Sequence, residues 1–136
     1  MESKYVLDTH VWISIFHGGK NEFLLDALLN NSITLISTAE QEKEFLHVLH
    51  YPAVQELLPG KPEGYRAFLK SISIHFPSKK RFALLADYKD NYLVDLAWQS
   101  NSILVSDDRG FKSLKLMQRP KITVISKREF YKLLGW

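Results

Sequence analysis

The chain has 136 residues, which suits one domain spanning 1–136 and leaves little room for a second. Hydrophobic residues make up 46% and charged residues 24%, an ordinary globular composition, and the absence of any long apolar run excludes a transmembrane helix. The formal charge of +3 leans only weakly toward polyanions, and the absence of cysteine excludes disulfides and thiolate metal sites.

The opening Met1-Glu2-Ser3-Lys4 lacks a signal peptide's basic region and apolar stretch, so the sequence points to the cytoplasm. Tyr5-Val6-Leu7 reads as a short buried strand, and Asp8-Thr9-His10 follows it directly. Helical patterns come next at 10–16 and 21–30, then a strand at Ile33–Ile36. In the helix expected at 39–50, Phe45, Val48 and Leu49 recur at helical spacing, and Pro52 closes it. Pro59-Gly60-Lys61-Pro62 is the strongest turn signal and reads as a helix–helix connection. A helix at 61–70, a strand at Ile72–Phe76, a helix at 91–100, strands at Ile103–Val105 and Ile122–Ile125, and a helix at 127–134 complete the chain. Strands this far apart suit crossover helices better than hairpins, so the sequence predicts an α/β fold with a parallel sheet and helices on both faces.

Carboxylates recur at the junctions. Asp8 follows the first strand, and Asp108 follows the strand Ile103-Leu104-Val105 within Ser106-Asp107-Asp108-Arg109. In a parallel sheet all strands end at one edge, so these two carboxylates share it, at the edge where α/β folds bind ligands. Asp8 would equally serve as a helix N-cap. Glu44 lies beside the apolar stripe of its helix, where a solvated helix-edge Glu is the simpler reading. Asp90 begins the helix 91–100 and is also placed to cap it, whereas Asp95, five residues on, points toward a different face. Four carboxylates repel one another and persist together mainly where a cation compensates them. Mg²⁺ and Mn²⁺ prefer such oxygen ligands, and a bound ion can activate water and polarise a phosphate.

These motifs, in this order, resemble the PIN-domain family of small metal-dependent ribonucleases. Val6-Leu7-Asp8-Thr9-His10-Val11 resembles the family's opening strand and Asp-Thr-Asn motif, with His10 where Asn is usual. Ser37-Thr38-Ala39 with Glu44-Phe45-Leu46-His47-Val48-Leu49 and Pro52 resembles the segment carrying the helix glutamate. Asp87-Tyr88-Lys89-Asp90-Asn91 through Asp95-Leu96-Ala97 resembles the third acidic motif, with Asp90 in the ligand position. Leu104-Val105-Ser106-Asp107-Asp108-Arg109-Gly110-Phe111 resembles the fourth, with Asp108 in the acidic position, Asp107 beside it, and Ser106 replacing the usual Thr.

The resemblance implies an α/β/α sandwich with a central, mostly parallel sheet. It implies Mg²⁺- or Mn²⁺-dependent endonucleolytic cleavage of RNA, with Asp8, Glu44, Asp90 and Asp108 holding the metal and Thr9 and Ser106 supporting them. It also implies the toxin of a toxin–antitoxin pair, a small antitoxin partner and a homodimer. An acidic pocket needs a basic rim for flanking phosphates; Arg109 and Lys112 are the candidates, with solvated surface as their plainer role. Trp12 and Phe111 could stack on a splayed base, though core packing accounts for both more simply. The alternative function is a non-catalytic RNA-binding or scaffold module on the same fold.

Overall fold

The structure, a computed structural model, describes residues 3–30, 32–80, 91–116 and 121–136, without the side chains of 112, 113, 115 and 116. Asp90 and Asp87 therefore lie outside the described residues, as does the side chain of Lys112. The described strands are β1 (Ser3–Leu7), β2 (Ile33–Ser37), β3 (Ile74–His75), β4 (Ile103–Val105) and β5 (Val124–Ile125). They form one parallel sheet in the order β3-β2-β1-β4-β5. The described helices are α1 (Thr9–His17), α2 (Asn21–Leu29), α3 (Ala39–Leu49), α4 (Pro52–Leu57), α5 (Pro62–Ile72), α6 (Asn91–Gln99) and α7 (Lys127–Leu133), with a 3-10 segment at Arg109–Leu116.

Alternation along β1 divides the interior. Tyr5 and Leu7 face one core with Trp12 and Ile15 of α1, Leu24 of α2, Phe45 of α3, Leu69 of α5 and Phe130 of α7. Val6 faces the other core with Leu93 and Leu96 of α6, Leu104 of β4 and Phe111 of the 3-10 segment. This is the three-layer α/β/α arrangement. Trp12 and Phe111 are core residues, at 0% and 1% exposure. No helix among the described residues is long and apolar enough to cross a membrane.

The sequence expectations differ from the structure in three places. Ile72 ends α5 instead of opening a strand, because it packs with Leu69 and Phe68 on the first core and continues the helix's apolar stripe. Tertiary packing thus overrides its β-branched preference. Ile122 is buried, but strand pairing in the last strand is confined to Val124 and Ile125. Pro52 also opens α4, whose first position it suits because its fixed φ is already helical and its missing N–H has no helical partner to lose. The connection from α4 to α5 turns at Gly60, whose φ of +118° strains any residue with a Cβ.

This topology places the site. From β1 the chain crosses to β2 on one side, and from β4 it crosses to β5 on the other. The carboxyl ends of β1 and β4 therefore flank the point where the strand order reverses, and their outgoing connections diverge to leave a crevice.

Candidate active site

The register pairs Leu7 of β1 with Val105 of β4, so Asp8 and Ser106 are the first residues beyond the paired stretch on neighbouring strands. They meet there: Ser106 Oγ donates to Asp8 Oδ2 at 2.6 Å. Asp8 Oδ1 accepts from the backbone N–H of His10 at 3.3 Å. Asp8 thus caps α1 with one oxygen and meets β4 with the other. At 6% exposure the carboxylate needs these partners, because a buried charge without hydrogen bonds is costly. It is the backbone of His10 that supplies the bond; its side chain is exposed.

Ser106 also accepts from the backbone N–H of Asp108 at 3.0 Å, linking Asp8 to the loop that carries Asp108. Asp108 is exposed and folds its Oδ1 onto the N–H of Gly110 at 2.8 Å. A Cβ at Gly110 would lie 3.3 Å from that oxygen, a tight contact to which the exposed Asp108 side chain would have to yield by a few tenths of an ångström. Asp107 turns toward α7, where its Oδ1 accepts from the backbone N–H of Lys127 at 2.9 Å. Asp8, Asp107 and Asp108 together line a cavity of about 330 Å³ with His10, Ser14 and Lys127.

Helix α3 sorts its glutamates. Glu42 pairs with Arg66 at 3.5 Å and His75 at 3.6 Å, anchoring α3 to α5 and to the end of β3. Glu44 is half-buried and accepts from Thr9 Oγ1 at 2.8 Å. Adjacent residues Asp8 and Thr9 thereby reach β4 and α3 respectively. Glu44 lines a larger cavity of about 960 Å³, shared with Asn91, Tyr92 and Asp95 of α6.

The Tyr92 hydroxyl is buried close to Glu44 and Thr9 without meeting hydrogen-bond geometry to either. Burial first, and then the negative charge of Glu44, push its pKa well above the ordinary phenol value, so it is a neutral O–H donor near neutral pH. Among the described residues no three His, Asp or Glu side chains are gathered as a metal cluster. Asp8 with Asp108 lines one cavity and Glu44 the other, joined through Thr9 and Ser106. Arg109 is exposed at the start of the 3-10 segment.

Sequence reasoning passed over Tyr92 and Lys127, and it set Asp95 on a different face from Asp90. Asp95, at 2% exposure, lies four residues after Asn91, and both line the Glu44 cavity. Counting from Asn91 instead of Asp90 puts the two on one helix face. Tyr92 reads as a core aromatic, and Lys127 as the start of a solvated helix; only the tertiary fold brings them to the site.

The family model for the PIN domain matches residues 4–110. No curated protein sequence matches the chain. Among solved structures, the chain is similar to "VapBC2 from Rickettsia felis bound to a DNA fragment from their promoter", at 13% identity and a TM-score of 0.60, covering 90% of this chain and 98% of that one. At that identity the likeness is one of fold. PIN domains are generally nucleases and typically use divalent metal ions. The acidic strand ends at the reversal point and the match across residues 4–110 lead to one conclusion: the chain belongs to the PIN-domain family.

Proposed function

We propose that the protein is an endoribonuclease that uses Mg²⁺ or Mn²⁺, with Asp8, Glu44, Asp90 and Asp108 as metal ligands. The observation that carries this reading is the Ser106 hydroxyl. It donates to the Asp8 carboxylate and accepts from the backbone N–H of Asp108, tying that carboxylate to the loop that carries Asp108 at the carboxyl ends of β1 and β4. The donor set is all oxygen, as hard cations require, and the orphaned Tyr92 hydroxyl needs an acceptor that a hydrated site or a substrate oxygen supplies. A bound divalent ion would supply Lewis-acid polarisation of the phosphodiester and a more acidic water.

The chain's own residues orient and hold protons. Ser106 and Thr9 fix the carboxylates of Asp8 and Glu44 by donating to them. Tyr92 keeps its proton available as a donor beside Glu44. Cleavage adds water across a P–O bond: hydroxide joins phosphorus and the proton goes to the leaving sugar oxygen. Arg109 and Lys112, which follow Asp108, are proposed to hold flanking phosphates.

The biological role proposed is the toxin of a type II toxin–antitoxin pair, acting in the cytoplasm as a homodimer and held inactive by a small antitoxin. The family resemblance and the likeness of fold to VapBC2 support it. The test is cleavage of a mixed RNA pool in Mg²⁺ or Mn²⁺ against EDTA, beside Asp8→Asn and Asp108→Asn. Metal-dependent cutting that both variants lose is the expected result. Cutting that survives both substitutions overturns the reading.

A further inference from the structure

The smaller cavity carries three carboxylates and one ammonium, that of Lys127. Lys127 is half-buried and held at two points: its backbone N–H donates to Asp107 Oδ1 at 2.9 Å, and its Nζ donates to Ser14 Oγ of α1 at 3.3 Å. Ion pairs among the described residues join Arg66 to Glu42 and Glu63, and the His75 ring lies 3.6 Å from Glu42. The ammonium therefore lines an acidic cavity without closing onto Asp8, Asp107 or Asp108. A neutral hydroxyl, Ser14, holds it instead.

A lysine that served only to neutralise these carboxylates would gain by direct contact with one of them. This one reaches from the start of α7 to Ser14 of α1, and both residues line the cavity. An ammonium has three protons and accepts none; Ser14 takes one and two are left for a ligand. The ligand must be anionic and must tolerate carboxylates nearby, as a phosphodiester does when a divalent ion lies between it and them.

We propose that Lys127, positioned by Ser14, is the phosphate anchor of this cavity and receives a non-bridging oxygen of the substrate phosphodiester. This rests on the ribonuclease reading for the identity of the substrate. It also carries a second consequence. A fixed positive charge in the cavity opposes a divalent cation, so Lys127 weakens metal binding while it strengthens substrate binding. Removing it moves the two affinities in opposite directions, which loss of a merely structural contact would not do.

The test compares wild type with Lys127→Ala, Lys127→Arg and Ser14→Ala. Binding of a short 5′-labelled single-stranded RNA is followed by anisotropy in Ca²⁺ across a salt series, Mn²⁺ binding by calorimetry without RNA, and cleavage in Mn²⁺. Lys127→Ala is expected to weaken RNA binding about ten-fold or more and to lower the slope of log affinity against log salt by about 1. The same variant should bind Mn²⁺ several-fold more tightly. Lys127→Arg should keep most RNA affinity, with Ser14→Ala in between.

Lys127→Ala that binds and cuts RNA like wild type, with an unchanged salt slope, overturns the anchor and leaves the nuclease reading standing. Wild type that binds RNA in Ca²⁺ yet cuts nothing in Mn²⁺ overturns the nuclease reading, while the Lys127→Ala comparison in Ca²⁺ still decides the anchor. If Lys127→Ala is misfolded by circular dichroism, Lys127→Arg and Ser14→Ala decide it through the same RNA affinities.

Discussion

Ser106 spends both sides of one hydroxyl on the site, giving its proton to Asp8 and accepting the N–H of Asp108. Loss of a group that orients a metal ligand typically costs about 10- to 100-fold in metal affinity or activity. Ser106→Ala is therefore expected to weaken Mn²⁺ binding by about that factor in calorimetry, and Ser106→Thr, which keeps the hydroxyl, to restore most of it. Tyr92 yields a different prediction, in pH. Free tyrosine ionises near 10.0, and the folded protein holds this proton to higher pH. Below about 10 both states keep the proton and the stability is fully present; above it the unfolded chain releases its proton first, so stability falls as pH rises. Tyr131 shifts the same way, through burial and the charge of Asp107. Tyr92→Phe should flatten the alkaline limb of the melting-temperature curve without lowering the melting temperature at pH 7, since it removes a buried hydroxyl that lacks a partner. At this scale the sequence disclosed the carboxylates, because strand ends are legible from apolar runs. It concealed Tyr92 and Lys127, which reach the two cavities only through contacts between distant segments.

Elements decide which of several similar residues reaches the site. Along α3 the apolar positions Phe45 and Leu49 face the core, which turns Glu44 toward Thr9 and Glu42 toward Arg66 and His75. Phe45 is fully buried and stacks on Phe16 of α1 with ring centroids 5.9 Å apart. It thereby fixes the distance between the helix that carries Glu44 and the helix that Asp8 caps. Phe45→Ala should cost about 3–5 kcal/mol in urea unfolding. It should also lower cleavage more than Glu42→Gln does, because only the first disturbs the packing behind Glu44. The long helices and the parallel sheet were legible from periodicity and spacing. The six-residue α4 was not, since Pro52 signals a helix start as readily as a stop. The strand expected at 72–76 is present at Ile74–His75, but its start was misread because Ile72 follows both patterns, and only its contacts with α5's own stripe select the helix.

The whole molecule concentrates negative charge against a modest overall excess of positive charge. Three carboxylates line one small cavity on a chain with a formal net charge of +3. On the proposed function, a divalent ion bound among these like charges would offset their mutual repulsion and add stability to the folded state. An ion that binds only the folded state adds RT ln(1 + [L]/Kd), about 2.7 kcal/mol at one hundred times Kd. For a chain of this length that corresponds to a rise in melting temperature of roughly 10 °C. Asp108 suits the converse test, being exposed with a side-chain hydrogen bond to a neighbouring backbone N–H, which Asn can preserve. Asp108→Asn is expected to leave the metal-free melting temperature unchanged or slightly higher and to lose most of the rise on adding Mn²⁺. Scanning calorimetry in EDTA and in Mn²⁺ reads both effects in one experiment. A variant that loses stability in EDTA and still responds fully to Mn²⁺ would assign Asp108 to the turn alone, and the metal would then have to be held from the Glu44 side of the crevice.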